Sequence, residues 1–264
     1  MTVRTKPGLA VGALVVLAWL LVALLAPVLA PRDPLLSYTP LLEPGTTGFP
    51  LGTDLLGRDI LSRLVWGARP VIFLSLVATL TAYAIGVTAG LVAGYKRGLV
   101  DSLLSFLANV ILSFPVLVLY LVVITALGPS YLNVIIAVTF GSAPAVFRIV
   151  RAIAIDIAHR DYIIAAVTQG ESTARILAVE ILPGAIPALA VDFCLRLGYT
   201  AIVIGALGFL GLGLPPPTPD WGGMVTDGRA LAFAFPHLVI FPCIAISSLV
   251  LGLSLVADGL RDAA

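Results

Sequence analysis

The chain alternates long apolar runs with short polar stretches. Each run approaches or exceeds the roughly 20 residues that an α-helix needs to cross a bilayer at about 1.5 Å per residue. Within the third run, Asn109 and Pro115 predict a packing contact and a kink, because proline cannot continue a regular helix. The pattern predicts six transmembrane helices, at residues 8–29, 70–95, 102–127, 131–150, 187–212 and 231–257.

The first apolar run could be confused with a secretory signal peptide, because residues 28–30 resemble a cleavage site. Its apolar core is longer than the roughly 7–15 residues of a signal-peptide core, and Pro31 follows directly. We interpret the run as a retained helix of about 22 residues, which would be about 33 Å long.

The stretch between the first two runs, residues 30–69, is predicted to lie outside the membrane. Its first half is rich in turn-forming residues. In its second half apolar positions repeat at helical spacing, and Thr53 or Asp54 could cap the start. We expect an amphipathic helix in the outer interface, with an apolar face made by Leu56, Ile60, Leu61, Leu64 and Val65.

The composition supports the membrane class, since 60% of the 264 residues are hydrophobic and only 11% are charged. Soluble domains have about 25% charged residues, so the polar groups here are too few to cover a soluble globule. The net charge of +1 does not indicate nucleic-acid binding. Cys194 and Cys243 lie in apolar runs without metal-ligand spacing, which favours packing roles. The sequence contains neither GxxxxGKS nor GxxxxGKT, which excludes a phosphate-binding loop of that type.

Basic residues are distributed unevenly between the two sides of the predicted spans. With the N-terminus in the cytoplasm, nine lie inside, five lie outside and Arg196 lies within a span. Because lysine and arginine favour the cytoplasmic side, both termini are predicted to be cytoplasmic in a multi-pass cell-membrane protein. The inner set is Arg4, Lys6, Lys96, Arg97, Arg148, Arg151, Arg160, Arg175 and Arg261, and the outer set is Arg32, Arg58, Arg63, Arg69 and Arg229.

Residues 161–184, DYIIAAVTQGESTARILAVEILPG, form a polar stretch in an otherwise apolar chain. They indicate two short helices joined at Gly170, because glycine costs about 1 kcal/mol relative to alanine inside a helix. Glu171 and Ser172 are favourable at the start of the second helix. Catalysis is disfavoured because no Ser/His/Asp or Cys/His set accompanies the stretch. The residues alone leave a structural connector and a docking surface open.

Asp192 and Arg196 are ionisable residues within the fifth run. Their i,i+4 spacing places them on one helical face, where they can pair. Charged residues in a span usually face a bundle interior or a water-filled cavity. Either the two residues neutralise each other and hold the span against a neighbour, or they form a polar point on a translocation path.

Four segments occur in the order in which a known family carries similar segments: PLGTDLLGRDILSRLVWGAR (50–69), DYIIAAVTQGESTARILAVEILP (161–183), LGFLGLGLPPPTPDWGGM (207–224) and DGLRDAA (258–264). The chain resembles the inner-membrane permease subunits of ABC importers, in the dipeptide, oligopeptide and nickel branch, and within it the second, shorter permease. The resemblance implies an all-α integral membrane protein of the type I ABC importer permease fold. Six transmembrane helices would accompany an amphipathic outer-interface helix and a cytoplasmic coupling helix.

The resemblance also implies a division of the chain and a set of partners. Residues 1–69 would form the first helix and the extracytoplasmic loop, and residues 70–264 the core permease domain, with the EAA coupling loop at about 156–184. A second homologous permease would complete the pathway, two cytoplasmic ABC ATPases would bind beneath it, and an extracytoplasmic substrate-binding protein would deliver cargo. The chain would be no enzyme and would bind neither metal nor cofactor, because ATP and Mg²⁺ are used by the ATPases.

Matching the EAA motif residue by residue places Ala165, Ala166 and Gly170 at the family's positions. Ile164 and Val167 stand where the family usually has glutamate and arginine. The backbone shape of a coupling helix is therefore expected, whereas its charged contacts with an ATPase are absent at these two positions.

We expect docking to depend on packing of Tyr162, Ile163 and Ile164, with Arg160 or Arg175 supplying polar contacts. The full set of expected docking residues is Arg160, Asp161, Tyr162, Ile163, Ile164, Ala165, Ala166, Gly170, Glu171 and Arg175. Candidates for the pathway or its gate are Asp192, Arg196, Phe209 and Leu210. Candidates for extracytoplasmic docking are Asp54, Arg58, Asp59 and Trp221.

The function implied is ATP-driven import of dipeptides, oligopeptides or a related small solute. Nickel chelates or haem could be handled by the same architecture. A gradient-driven carrier or channel, or a structural subunit without a transport path, are alternatives of another class. A carrier would need ion-binding groups within the membrane, and Asp192 and Arg196 are the candidates that the sequence offers.

Overall fold

The structure is a computed structural model that describes residues 7–262, and these residues form helices joined by turns and loops. The helices are α1 (Pro7–Leu24), α2 (Ala26–Leu29), α3 (Ile60–Lys96), α4 (Gly98–Leu112), α5 (Val116–Leu127), α6 (Tyr131–Ile157), α7 (Asp161–Thr168), α8 (Thr173–Arg175), α9 (Leu182–Phe209), α10 (Trp221–Gly228) and α11 (His237–Arg261). A π-helical turn, Ile176–Ile181, joins α8 to α9, and a 3₁₀ turn, Arg229–Leu231, follows α10. The predicted all-α class is confirmed.

Among residues 7–262, five helical segments are long and apolar enough to cross a membrane: α1, α3, α6, α11 and the continuous run Thr173–Phe209. Helices α4 and α5 together make a sixth span, and they meet at an angle of 87°. The six predicted spans are confirmed when this bent pair counts as one. The predicted kink is confirmed as well, because α4 ends at Leu112 and Pro115 forms the N-cap of α5.

The centre of the bundle is the close packing of α3 on α6. Gly86, Gly90 and Gly94 form one stripe on α3, and an added Cβ at each would lie within 3 Å of α6, against Val146, Val150 and Ala154 respectively. Small residues spaced four apart let two helix backbones approach closely. Since the contact positions increase together along both helices, α3 and α6 run parallel.

Glycines also join α1 to α11. Gly12 lies against the backbone of Gly252, and Gly259 lies against Leu9. The two helices are therefore antiparallel, so α1 begins and α11 ends at one end of the bundle. Helices α3 and α6 also end there, and α7 follows α6. We call this the α7 end, and the opposite end, which carries residues 30–59 and α10, the α10 end.

The segment expected to form a separate amphipathic helix is divided between a loop and the start of α3. Residues up to Asp59 form turns and isolated bridges, and the helix begins only at Ile60. Asp59 is the N-cap, and its carboxylate accepts a hydrogen bond from the backbone N–H of Ser62 at 2.8 Å. The expected cap at Thr53 or Asp54 is thus corrected to Asp59, whose carboxylate is placed to satisfy the free N–H groups of the first turn.

The helix that begins at Ile60 continues through Pro70 to Lys96 as part of the second span. Its polar side is not solvated at an interface, because Ser62 and Arg63 are buried in contacts with other parts of the chain. The expectation of a separate interfacial helix is corrected accordingly. The division predicted between residues 69 and 70 falls inside α3, and the two-part description of the chain stays a prediction.

Candidate functional site

The predicted helix–glycine–helix is present at the α7 end. Helix α7 ends at Thr168, and Gly170 adopts a φ of +81°. This left-handed conformation is favourable for glycine and costs other residues roughly 1–2 kcal/mol. The Ser172 side chain then caps α8 by accepting a hydrogen bond from the backbone N–H of Arg175. The turn at Gly170 therefore sets the angle between α7 and the helical run that leads into the fifth span.

Helix α7 presents apolar side chains to its surroundings. Tyr162, Ile164 and Val167 are 44%, 56% and 51% exposed, respectively. Ile164 and Val167, three residues apart, lie on one side of α7, and Tyr162 projects from another side of the helix. Exposed apolar side chains on a connection between two spans are candidates for contact with another protein. We call these three residues the apolar face of α7.

Ile163 and Ala166 point the other way. Ile163 is 1% exposed and packs with Ile157 and Ile176 in a cluster at the base of α6 and α9. It therefore fastens α7 to its own chain and is not available to a partner. The expectation that Ile163 and Ala166 contribute to a docking surface is corrected, because their spacing of three turns both residues inward.

The two arginines expected to make polar contacts already have partners within the chain. Arg160 lies 3.2 Å from Asp156, and Arg175 lies 2.9 Å from Glu171. Both pairs are solvent-exposed, and such ion pairs contribute about 0–1 kcal/mol. These arginines can exchange partners at little cost. Asp161, Ala165 and Gly170, which complete the expected set, are exposed.

A π-helical turn links the α7 region to the fifth span. Residues Ile176–Ile181 form the wider turn, and α8, this turn and α9 follow one another without a break. Ile176 and Ile181 are buried at its two ends, in the cluster that holds α7. π-helical turns are rare and are frequently found at functional sites. The turn had no signal in the sequence patterns considered above.

The predicted pairing of Asp192 with Arg196 is confirmed. The Arg196 guanidinium donates through Nη2 to Asp192 Oδ1 at 3.0 Å and through Nε to Oδ2 at 3.1 Å. The Tyr83 hydroxyl, on α3, donates to Oδ2 of the same carboxylate. The three side chains therefore tie α9 to α3 inside the span, and they are partly buried.

Replacing Asp192 with asparagine should destabilise the protein more than removing both charges does. Asp192→Asn leaves the Arg196 guanidinium within the span without its countercharge, whereas Asp192→Asn combined with Arg196→Gln leaves no unpaired charge. We expect the single variant to have the lower melting temperature in detergent. If the melting temperatures of the two variants are equal, the pair does not hold α9 by mutual neutralisation.

The charged candidates at the α10 end lie in a buried network. Asp54 accepts hydrogen bonds from Arg58 Nε at 2.7 Å and from Arg63 Nη1 at 2.6 Å. Arg58 also donates to Asp227, near the end of α10, at 3.0 Å. Asp59 is fully buried as the helix cap. The expectation that Asp54, Arg58 and Asp59 are docking contacts is corrected, because Asp54 and Arg58 join the loop to α3 and α10, and Asp59 caps α3.

Trp221 is likewise internal. It is 0% exposed, its Nε1 donates to the carbonyl of Leu64 at 2.9 Å, and its ring lies edge-on to Trp19 at 4.8 Å between centroids. An added Cβ on Gly67 would lie 2.8 Å from the Trp221 ring, so the glycine makes room for it. The expectation that Trp221 is an extracytoplasmic docking contact is corrected, because the indole finds both apolar cover and a hydrogen-bond acceptor in the bundle.

Phe209 and Leu210 lie where α9 ends, and both are exposed. Close by, α9 meets α10 backbone to backbone: an added Cβ on Gly222 would lie 2.1 Å from the carbonyl oxygen of Gly205. Asp220 caps α10 by accepting a hydrogen bond from the N–H of Gly223 at 3.0 Å. Burial raises the pKa of this carboxyl, and that hydrogen bond opposes the rise.

Within residues 7–262 no group of three or more histidine, cysteine or acidic side chains could hold a metal ion. Cys194 and Cys243 are free thiols on α9 and α11.

The fold and its site define a class: a polytopic helical membrane protein with an exposed apolar helix between two spans. Residues 86–264 match the family model described as binding-protein-dependent transport system inner membrane component. The chain belongs to this family of membrane transport components. It is 36% identical to the dipeptide transport system permease protein DppC of Haemophilus influenzae, over 98% of this chain and 90% of that protein.

Other relatives give the same family. The glutathione transport system permease protein GsiD of Pectobacterium atrosepticum is 37% identical, over 98% of this chain and 87% of the relative. The di/tripeptide transport system permease protein DppC of Pseudomonas aeruginosa is 38% identical, over 96% and 86%.

Solved structures confirm the fold. One is titled as inward facing conformations of the MetNI methionine ABC transporter, with a TM-score of 0.62 at 18% identity, over 76% of this chain and 95% of that one. Another, an amino acid ABC transporter with histidines, has a TM-score of 0.56 at 20% identity, over 76% and 94%. The predicted type I ABC importer permease fold is therefore confirmed.

Proposed function

We propose that this chain is the permease subunit of an ATP-driven importer and that the apolar face of α7 is the surface on which an ATPase docks. The observation that carries the proposal is the exposure of Tyr162, Ile164 and Val167 on a helix anchored to its own chain by buried Ile163. Membership of a family of binding-protein-dependent transport components supports it. Arg160 and Arg175, in weak exposed ion pairs, supply the polar contacts.

The solute is a short peptide or a closely related small molecule. Relatives named as dipeptide, di/tripeptide and glutathione permeases, matched over nearly their whole length, support this class. All these compounds are small, polar and carry a free carboxylate. An α-amino group and at least one peptide bond complete their shared chemistry.

The protein lies in the cell membrane with the α7 end in the cytoplasm. With Arg148 left out because it lies within α6, eight basic residues on that side against five on the other support this orientation. Both termini are then cytoplasmic, α10 faces outward, and the α10 end, including exposed Phe209 and Leu210, meets a substrate-binding protein.

A second homologous permease completes the pathway, and two ABC ATPases bind ATP and Mg²⁺ beneath the pair. The chain has no catalytic part in hydrolysis. Closure of the ATPases moves α7, and α7 moves the spans through its buried anchor and the π-helical turn. Asp192 and Arg196 lie beside the pathway in this proposal and keep α9 attached to α3.

Reconstitution tests the function directly. The complex is assembled from this chain, a second permease of the same family, two ATPases and a substrate-binding protein, and is placed in proteoliposomes. ATP-dependent uptake of labelled dialanine is measured with and without the binding protein. Uptake that needs both ATP and the binding protein supports the proposal, whereas uptake driven by an ion gradient in the absence of ATP contradicts it.

Gly170 should be essential for coupling because of its backbone conformation. Its φ of +81° is accompanied by open space around the missing side chain, so a substitution acts through strain and not through a clash. We expect Gly170→Val to reduce dipeptide-stimulated ATP hydrolysis to the basal rate, and Gly170→Asn, which tolerates this conformation better, to retain most of it. The measurement is ATP hydrolysis in proteoliposomes. If dipeptide stimulates hydrolysis equally in the valine variant and the wild type, the conformation of Gly170 is not needed for coupling.

A further inference from the structure

Arg148 is an exposed cation on α6, within the predicted fourth span. Its Nη2 donates to the side-chain carbonyl of Asn109 on α4 at 2.8 Å. No carboxylate among residues 7–262 lies within ion-pair distance of it, whereas neighbouring Arg151 pairs with Asp101. A charge in a span without a countercharge is costly, and it usually marks a site of function.

The helix packing places Arg148 well inside the bundle's length. Gly86 contacts α6 at residues 143 and 146, and Gly90 contacts it at residues 147 and 150. Arg148 is therefore level with the part of α3 between these glycines, about 12 Å from Lys96 where α3 ends.

The side chain of Arg148 is directed away from the nearer end of the bundle. In a helix the Cα–Cβ bond tilts toward the N-terminus, and for α6 that direction leads away from the α7 end. Asn109, which accepts its hydrogen bond, lies eight residues beyond Asp101 along α4, or about 12 Å. The guanidinium is thus directed toward the middle of the bundle and away from the α7 end.

The break between α4 and α5 lies one turn beyond Asn109. The N–H of Ser113 donates to the Asn109 carbonyl at 3.0 Å, after which the chain turns at residues 113–115, all exposed. The carbonyl groups of residues 112–114 accept no hydrogen bond from the described part of the chain. Irregular backbone at membrane depth is tolerated only where protein covers it or where it lines a water-filled cavity. Discontinuous helices with open carbonyl groups are typical of solute sites in transporters.

We propose that Arg148, positioned by Asn109 beside this break, binds the carboxylate of the solute as it passes through a water-filled pathway. The inference rests on the proposed import of short peptides and assigns a residue to the α-carboxylate that such solutes share. A guanidinium presents a planar fork of N–H donors that matches a carboxylate with two parallel hydrogen bonds. Asn109 uses one of those donors and orients the fork. The open carbonyl groups of residues 112–114 follow Asn109 by three to five residues. They can accept hydrogen bonds from water or from the N–H groups of a solute held by Arg148.

Uptake of dialanine by the reconstituted complex tests the role of Arg148. We expect Arg148→Gln to lower uptake about tenfold through loss of a charge-assisted hydrogen bond, and Arg148→Lys to keep an intermediate rate. Lys96→Gln is the matched control, because it removes a basic residue that is exposed at the end of α3, and it should transport as wild type does.

The outcomes separate the inference from the function it rests on. If the wild-type complex takes up no dipeptide, the proposed function fails. If wild type transports and Arg148→Gln transports equally well, the inference fails. Loss of the second permease during purification of Arg148→Gln would also overturn it, since Arg148 would then be a subunit contact.

Chemical modification provides a second readout. Arg148→Cys is made in a background with Cys194→Ser and Cys243→Ser and is treated with 2-aminoethyl methanethiosulfonate, which restores a cation, or with methyl methanethiosulfonate, which does not. We expect the cationic reagent to restore dialanine uptake and dialanine to slow the modification. A thiol that does not react, or equal recovery with both reagents, contradicts a carboxylate site in a water-filled path.

Discussion

Replacing Ile164 with aspartate should separate the ATPases from the membrane complex. Ile164 is the most exposed of the three residues of the apolar face of α7, and its side chain has no function in holding α7 to the bundle. A carboxylate placed in an apolar contact without a partner costs several kcal/mol, and about 1.4 kcal/mol already corresponds to a factor of ten in affinity. We expect the ATPase recovered with the affinity-purified permeases to fall at least tenfold.

The control for this variant is Phe233→Asp. Phe233 is a fully exposed apolar residue near α10, at the opposite end of the bundle. The same charge placed there should leave the ATPase content unchanged. Equal ATPase content in the Ile164 and wild-type complexes would show that α7 is not the docking surface.

Trp221→Ala should have the largest effect on the stability of the chain. The indole is fully enclosed between Trp19 and α3, and its hydrogen bond to Leu64 joins α10 to the second span. Truncating a buried tryptophan costs about 3–5 kcal/mol, which corresponds to a fall of about 10 °C in melting temperature for a chain of this size. The measurement is thermal unfolding of the purified protein in detergent.

Trp66→Ala is the matched control, since Trp66 is only half-buried and stacks on the guanidinium of Arg69 at 4.9 Å. Its removal should lower the melting temperature by less than half as much. Equal losses in the two variants would contradict the central position of Trp221 in the packing between α1, α3 and α10.

The apolar runs were sufficient to predict the spans, because a helix that crosses a bilayer needs about 20 consecutive apolar residues, and such long apolar runs are uncommon elsewhere. The helix–glycine–helix at residues 161–175 was also predictable, since Gly170 and Ser172 act through local backbone conformation and capping. Pairing of Asp192 with Arg196 followed from spacing alone. In each case the deciding interaction joins residues close together in the sequence.

Burial of individual residues was not predictable in the same way. A helical repeat at residues 161–168 does not tell which side meets α6, so Ile163 was assigned to the docking surface although it packs inward. Trp221 is amphipathic, so its sequence context fits a position at a membrane interface as well as a buried one. Only its contact with Trp19, some 200 residues earlier, decides for burial. These outcomes depend on contacts between distant segments.

The α3 glycine stripe was missed although the sequence carries its signal. Gly86, Gly90 and Gly94 are spaced four apart, which is the pattern of closely packed transmembrane helices. The network of Asp54, Arg58 and Arg63 had no comparable signal. Charged residues near the surface of a membrane protein are usually solvated, and only the approach of α10 explains their burial.

The unbroken run from Thr173 to Phe209 has a mechanical consequence. Its 37 residues amount to a rod about 55 Å long, so a tilt of about 10° pivoting at one end shifts the other by roughly 10 Å. The near end of this lever carries the turn beside α7, and its far end carries Phe209. Because the backbones of Gly205 and Gly222 are in direct contact, a movement of this run would also move α10. In the orientation proposed above, a small tilt of this run at the α7 end would produce a displacement of about 10 Å at the α10 end.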